Sequence, residues 1–229
     1  MIPLKDENPS FSFPFLTVGL IGANIMVFFY QLLLGERLPL FILRMGLVPY
    51  EFIRMTDLPP VTSIPIPLTL LTSIFLHGGL LHLVGNMLYL WIFGDNVEDS
   101  MGHFRFFLFY IMCGTFASLL HILVNPNSKV PTIGASGAIS GVLGAYLILY
   151  PRAKVVTLLF FFYLIRIVRL PAVFFLGVWF LWQLLGAGLP GGGIAWFAHI
   201  GGFAGGVVLV KLFVKGRKYP RLPHPRLNL

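Results

Sequence analysis

The sequence predicts an all-α polytopic membrane protein, a bundle of six transmembrane helices around a buried polar active site. Hydrophobic residues make up 57% of the 229 residues and charged residues only 10%, well below the roughly 25% typical of soluble domains. Six apolar segments alternate with loops that are rich in proline, glycine or basic residues. Two of these segments begin beside Ser136 and His199, and serine and histidine are the nucleophile and base of acyl transfer.

The six apolar segments define the predicted spans, which cover residues 15–34, 80–93, 104–124, 136–150, 173–185 and 199–214. Several are shorter than the ~20 residues that a helix needs to cross a bilayer alone. We expect such spans to be enclosed by the other helices, where protein shields the backbone. The first segment resembles a signal peptide, but it is long for an h-region and lacks a small-residue cleavage site, which favours a retained anchor.

The segments around the spans complete the predicted organisation, which is a cytoplasmic N-terminal segment (1–14), a six-span domain (15–215) and a basic cytoplasmic tail (216–229). The first loop, residues 36–76, combines prolines with apolar stretches and is expected to lie partly in the membrane interface. Residues 154–170 are apolar between basic residues, which is typical of an interfacial segment. Residues 186–193 contain five glycines and are expected to form a mobile loop.

The basic residues predict the orientation in the membrane. Twelve lysines and arginines fall on the side of the two termini, and four (Arg37, Arg44, Arg54 and Lys129) fall on the other side. Because cytoplasmic loops carry the excess of basic residues, both termini are predicted to be cytoplasmic, and we expect the plasma (inner) membrane of a prokaryote. The chain has a net charge of +8, and its basic residues lie at the ends of apolar segments. This distribution favours membrane lipids over nucleic acid as a partner of the protein.

Three polar side chains are predicted to lie at one depth in the membrane. At about 1.5 Å per helical residue, Ser136, His199 and His82 lie about 21, 24 and 20 Å above the cytoplasmic ends of their spans. That level is about 10 Å below the outer edge of a ~30 Å hydrocarbon core. Structural histidines on separate helices would have no reason to agree in depth, so the agreement favours one shared site.

Small residues follow both the serine and the histidine at a spacing of four, in the pairs Gly137/Gly141, Ser140/Gly144, Gly201/Gly205 and Gly202/Gly206. This spacing lets helix backbones approach closely, as a hydrogen bond of ~3 Å between the two side chains requires. A role in packing alone would explain the glycines, but it would not explain Ser136 and His199 at the ends of the two patterns.

His82 and Asn86 lie one turn apart on the same face of the second span. Both side chains can donate hydrogen bonds, and the backbone N–H of Ser136 lies at a helix N-terminus, where partial positive charge collects. The three donors are a plausible oxyanion hole; alternatively, His82 and Asn86 join helices as structural polar contacts. His77 is expected at the interface or as a cap, and His103, His121 and His224 in structural or solvated positions.

The positions of the acidic residues disfavour other hydrolase chemistry. No Asp or Glu follows Asp99, and the acids at residues 95–99 are predicted to form a turn on the cytoplasmic side. A Ser–His–Asp triad is therefore disfavoured, and a Ser–His dyad remains. No His-Glu-x-x-His motif is present, which disfavours a zinc protease. Cys113 is the only cysteine, so a disulfide within the chain and a thiolate metal site are both excluded.

Three motifs in this order resemble the rhomboid family of intramembrane serine proteases: HGGLLHLVGN at residues 77–86, GASG from Gly134 and AHIGG around His199. The resemblance covers nearly the whole chain. It implies Ser136 as nucleophile, His199 as base and His82, Asn86 and the Ser136 N–H as oxyanion donors. It also implies single-span membrane proteins as substrates, cleaved in or beside the span near its outer end, with no metal or cofactor.

The sequence departs from the family pattern at two places. The first loop lacks the Trp-Arg pair of many members, and Ser140 stands where some members have a tyrosine stacked on the catalytic imidazole. Two other functions stay open. A catalytically inactive rhomboid-like protein would bind membrane clients, although such relatives lack the serine or the histidine. A small transporter would use the intramembrane polar residues as a substrate path, although no internal repeat is evident.

Water and substrate are expected to reach the serine from the outer side, past the fifth span and the glycine-rich loop. Large side chains of the fifth span are predicted to wedge against aromatic residues of the second; these are Phe174, Phe175, Trp179, Phe180 and Trp182, facing Tyr89, Trp91 and Phe93. Glycine has wide backbone freedom, so the loop at residues 186–193 is a candidate lid.

Overall fold

Apolar helices form most of the architecture. The computed structural model describes residues 1–59, 64–161, 164–189 and 193–214. Within them the α-helices are α1 (Phe15–Leu33), α2 (Leu38–Met45), α3 (Pro49–Arg54), α4 (Thr69–Thr72), α5 (Leu80–Met101), α6 (His103–Val124), α7 (Ser136–Leu149), α8 (Ala172–Ala187) and α9 (Trp196–Phe213). The strands are β1 (Ile2–Asp6), β2 (Lys154–Phe161) and β3 (Leu164–Pro171). The predicted tail and residues 190–192 of the predicted lid lie outside the described residues.

The described residues contain three helices that are long and apolar enough to cross a membrane, namely α1, α6 and α9. The segment Ile66–Phe75 and α5 together form a fourth candidate, bent by 83° at the break between them. Helices α7 and α8 are apolar but have only 14 and 16 residues. The chain is an integral membrane protein of mostly helical structure, as predicted, while the count of six spans remains a prediction.

Helix α7 lies at the centre of the bundle, packed against α5, α6 and α9. Its contact with α9 is possible only because glycines face each other there. A Cβ atom on Gly202 would lie 1.9 Å from the carbonyl oxygen of Gly137, and one on Gly206 would lie 2.0 Å from that of Gly141. On the α6 side, a Cβ on Gly141 would lie 2.3 Å from that of Cys113. The short helix α7 is therefore enclosed by backbone-to-backbone packing.

The predicted turn at residues 95–99 is wrong, because α5 continues to Met101. The acids predicted to form a turn lie instead in the last turns of this helix. Glu98 is fully buried and accepts hydrogen bonds from the backbone N–H groups of Leu16 (2.9 Å) and Thr17 (2.7 Å) at the start of α1. It also contacts Nδ1 of His103 at 2.5 Å. A buried carboxylate is tolerated here because donors surround it.

A three-stranded antiparallel sheet, which the sequence analysis did not predict, joins residues that are distant in the chain. Its strand order is β1-β2-β3, so the segment before α1 pairs with a strand between α7 and α8. Residues 154–161 and 164–170, predicted as parts of one interfacial segment, thus belong to two antiparallel strands. Their β-branched residues suit a pleated surface, and Val155 and Thr157 of β2 are fully buried. Arg169 of β3 binds Glu7 beside β1 at 2.6 Å.

The first loop contains α2, α3 and α4 and is attached to the connection between α6 and α7. Leu47 and Thr132 exchange two backbone hydrogen bonds, of 3.1 and 2.7 Å, and the N–H of Tyr50 donates to the carbonyl of Ser128 at 2.9 Å. The ammonium group of Lys129 lies 5.1 Å from the centre of the Tyr50 ring. These contacts anchor the loop in a chain that lacks the Trp-Arg pair.

Candidate active site

Ser136 and His199 meet where α7 packs against α9. Ser136 is the first residue of α7, and His199 lies in the first turn of α9, which begins three residues earlier than predicted. Nε2 of His199 lies 2.9 Å from Oγ of Ser136. Gly134 precedes the serine with φ +121°, a backbone conformation that residues with a Cβ rarely adopt.

Both side chains face a cavity of about 740 Å³ that lies between the helices. Its polar lining includes Ser136, His199, His82, Asn86, Tyr89 and His121. Its rim includes the exposed Val130 of the α6–α7 connection and residues just before α9. The cavity therefore brings together the four side chains that the sequence analysis predicts as site residues. His121, predicted as structural or solvated, also lines it.

His82 and Asn86 lie against Gly134, the first residue of the serine motif. A Cβ on Gly134 would lie 2.7 Å from Nε2 of His82 and 3.7 Å from Nδ2 of Asn86. The backbone N–H of Gly78 donates to Nδ1 of His82 at 3.4 Å. Because Nδ1 accepts this bond, the hydrogen of the neutral ring lies on Nε2, the nitrogen that faces Gly134. Both side chains thus present N–H groups two residues before Ser136.

A chain of hydrogen bonds that was not predicted supports Asn86 from α1. The side chain of Gln31 donates to the carbonyl of His77 and accepts from its N–H, both at 3.0 Å. Nε2 of His77 in turn lies 2.9 Å from Nδ2 of Asn86. His77 was expected at the interface or as a cap, but it is buried and orients the Asn86 amide. The available signal in the sequence was Gln31, a polar residue near the end of an apolar span.

Gln183 of α8 is a second residue that the sequence analysis missed. Its Oε1 lies 2.8 Å from Nδ1 of His199, and its Nε2 donates to the carbonyl of Trp179 at 3.0 Å. Both ring nitrogens of His199 therefore have partners, although Ser140 offers no aromatic ring to stack on it. The indole of Trp179 lies 6.2 Å from the imidazole, centre to centre. A lone amide in an apolar span was the signal.

The predicted seam between the second and fifth spans is narrower than expected. Phe175 is buried and lies 6.4 Å from Tyr89 and 6.1 Å from Phe93, ring centre to ring centre. The other predicted members face elsewhere: Trp179 and Phe180 contact Phe203 of α9, whereas Phe174, Trp182 and Trp91 are exposed on the bundle surface. Outward-facing rings meet lipid in a membrane, so Phe175 alone carries the contact of α8 with these α5 aromatic residues.

Comparison with known proteins identifies one family. A family model described as the Rhomboid domain matches residues 67–216. The chain is 34% identical over 151 residues to rhomboid protein 1, mitochondrial, of Saccharomyces cerevisiae, which covers 62% of this chain and 40% of the yeast protein. It is 37% identical over 148 residues to RHOMBOID-like protein 4 of Arabidopsis thaliana, and this match covers 61% of this chain and 32% of that protein. It is 46% identical over 78 residues to rhomboid protease GluP of Bacillus subtilis, covering 34% of this chain and 15% of the protease. The matches span less than half of each relative.

Proposed function

The chain belongs to the rhomboid family, and from this premise we propose that it is an intramembrane serine endopeptidase that hydrolyses peptide bonds in or next to the transmembrane segments of membrane proteins. Ser136 is the proposed nucleophile and His199 the proposed general base. The observation that carries the proposal is the 2.9 Å contact between Oγ of Ser136 and Nε2 of His199. This pair borders a cavity large enough for a peptide segment.

The proposed reaction follows from the positions of these atoms. Nε2 of His199 accepts the hydroxyl proton as Oγ of Ser136 attacks the carbonyl carbon, and the imidazolium then protonates the leaving amine. The N–H groups of His82, Asn86 and the Ser136 backbone are the proposed donors to the developing oxyanion. Water from the cavity, with its proton taken by His199, then hydrolyses the acyl-enzyme. No metal or cofactor has a role in this scheme.

The proposed substrates are single-span membrane proteins, cleaved near the outer end of their span. Residues 15–215 form the proposed protease domain, with residues 1–14 and 216–229 on the cytoplasmic side. The bias of twelve basic residues against four supports this orientation. The proposed location is the plasma membrane of a prokaryote, with the active site opening to the outer side.

The test compares Ser136→Ala with Ser140→Ala in purified protein in proteoliposomes. Ser140 is a matched control because it lies one turn further along α7 and bonds to the carbonyl of Ser136 at 2.6 Å. We expect Ser136→Ala to abolish both cleavage of a fluorogenic single-span substrate and labelling by a fluorophosphonate, with unchanged thermal unfolding. Ser140→Ala should keep both activities. Cleavage by a clean Ser136→Ala sample would refute the proposal, and labelling of Ser140 would move the nucleophile there.

A further inference from the structure

We propose that Gln183 is a positioning residue for the base. Its side-chain oxygen holds the hydrogen of His199 on Nδ1, so that Nε2 faces Ser136 as a proton acceptor. This inference rests on the proposed roles of Ser136 and His199. It also makes α8 part of the catalytic arrangement, since α7 carries the serine, α9 carries the histidine and α8 carries the residue that orients it.

The direction of each hydrogen bond follows from the backbone carbonyl of Trp179, to which the amide of Gln183 is bonded. The backbone oxygen of Trp179 can only accept, so the amide nitrogen of Gln183, 3.0 Å away, must donate to it. The amide oxygen then faces His199, 2.8 Å from Nδ1. A flipped amide would place two oxygens against each other at Trp179. Because an oxygen faces Nδ1, that nitrogen must carry the hydrogen.

The position of the hydrogen on His199 determines which group faces Ser136. A neutral imidazole has one hydrogen, and with it on Nδ1 the lone pair lies on Nε2, 2.9 Å from the hydroxyl of Ser136. This is the tautomer that a general base requires. The other tautomer would place an N–H against the hydroxyl and would have no lone pair to accept its proton. Gln183 therefore selects the competent form of His199.

The burial of Gln183 supports a role for this contact in positioning His199. The side chain of Gln183 is 4% exposed and is the only amide in α8, which has no charged residue. A buried amide within an apolar helix is costly unless its hydrogen bonds are made. No Asp or Glu follows Asp99, so α6 to α9 have no carboxylate that could take this place. A neutral amide can hold the tautomer, although it stabilises the imidazolium less than a carboxylate would.

The experiment compares Gln183→Leu with Gln183→Glu, both as full-length protein in proteoliposomes. Leucine removes the acceptor. A protonated glutamic acid can accept from Nδ1 through its carbonyl and donate to Trp179 through its hydroxyl, and so preserves both bonds. We expect Gln183→Leu to lower kcat by about 10- to 100-fold, as a misplaced catalytic group does, with KM unchanged. Gln183→Glu should restore most of kcat. Full kcat in a folded Gln183→Leu variant would overturn the proposal.

Asn24→Leu is the matched control, because Asn24 is another fully buried amide within an apolar helix. Its Nδ2 bonds only within α1, to the carbonyl of Leu20 at 2.7 Å, and it should keep the parent kcat. An equal loss of kcat in this control would make the effect one of general packing and overturn the proposal.

A second measurement does not depend on the leucine variant folding. Nitrogen-15 NMR of the histidine rings, with His199 assigned by its loss in His199→Gln, shows which ring nitrogen carries the hydrogen. We expect it on Nδ1 in the parent protein, and a hydrogen on Nε2 would overturn the proposal. The two proposals also fail separately. Cleavage by Ser136→Ala refutes the protease assignment, whereas an inactive Ser136→Ala beside a fully active Gln183→Leu refutes only the role of Gln183.

Discussion

At the scale of single residues, the proposed oxyanion donors around Gly134 are different side chains from the proposed nucleophile and base. His82 presents Nε2–H to this position and Asn86 presents Nδ2, and in the part of the chain that the structure describes neither side chain is hydrogen-bonded to the hydroxyl of Ser136. Loss of one such donor leaves the nucleophile and base in place. The two classes of residue should therefore differ in how much activity survives their removal.

We predict that His82→Ala and Asn86→Ala each lower kcat by about 10²–10³-fold, the usual loss for one oxyanion donor. His199→Ala should remove activity as completely as Ser136→Ala, because nucleophile and base act as a unit. Rates should be normalised to correctly folded protein by size-exclusion chromatography. His103→Ala is the control, since that ring contacts Glu98 rather than the cavity. Parent-level turnover in His82→Ala would return His82 to a structural role between helices.

At the scale of elements, the contact of α7 with α9 depends on the absence of side chains at particular positions. We predict that Gly202→Ala lowers the free energy of unfolding by about 1–3 kcal/mol or more, the cost of overpacking a tight interface, because its Cβ would lie 1.9 Å from the oxygen of Gly137. Activity should fall as the helices separate. Gly22→Ala in α1 is the control, since no atom lies within 4 Å of its Cβ position. Thermal unfolding in detergent measures both, and equal melting temperatures would contradict the packing.

The contact of α8 with α5 makes a second prediction at this scale. Phe175 is 1% exposed and packs beside Tyr89 and Phe93, whereas Trp182 on the same helix is 66% exposed. Phe175→Ala should lower stability by about 3–5 kcal/mol and raise the rate at which a single-span substrate is cleaved, because α8 can then move away more easily. Trp182→Ala should change neither. A slower rate for folded Phe175→Ala would argue against substrate access between these helices.

Particular residues and elements show which features could be predicted from the sequence. The candidate site residues could be grouped from the sequence because the rise per helical residue converts sequence position into depth in the membrane. The small residues then identify the helices that approach each other. Gln183 and Gln31 could not be included, because an amide in a span does not reveal its partner on another helix. The strands β2 and β3 were missed because an apolar run beside arginines has the same pattern in a strand as in an interfacial segment.

The prediction of a turn at residues 95–99 was wrong for a related reason. Acidic residues usually mark the edge of a span, but Glu98 and Asp99 are buried within the helix. Glu98 is bonded by backbone N–H groups in the first turn of α1, and Asp99 by the N–H of Phe11 just before that helix. Those partners are more than 80 positions away in the sequence. Contacts of this kind follow only from the tertiary arrangement, which local patterns of hydropathy and charge do not encode.

At the scale of the whole molecule, the sheet and the half-buried carboxyl group of Asp6 tie the N-terminal segment to the bundle. Strand β1 pairs with β2, and at its end the hydroxyl of Tyr146 on α7 donates to Oδ2 of Asp6 at 2.5 Å. Burial, together with the nearby charge of Asp95, raises the pKa of Asp6 from its ordinary value of 3.8 to about 6, against the opposing effect of the Tyr146 hydrogen bond. Protonation of Asp6 therefore favours this folded arrangement.

The stability of the protein should consequently fall as the pH rises from about 4 to about 6. In that window the folded state binds more protons at Asp6 than the unfolded state, so the free energy of unfolding decreases with pH and levels off above the folded pKa. We predict that Asp6→Asn, whose amide oxygen can still accept from Tyr146, loses this pH-dependent contribution to stability. Between pH 5 and pH 7 its melting temperature should therefore rise relative to that of the parent protein. Glu36→Gln, at an exposed residue of the first loop, is the control and should follow the parent curve. Parallel curves for Asp6→Asn and the parent would mean that the N-terminal strand is attached to the bundle without help from the proton on Asp6, by the sheet alone.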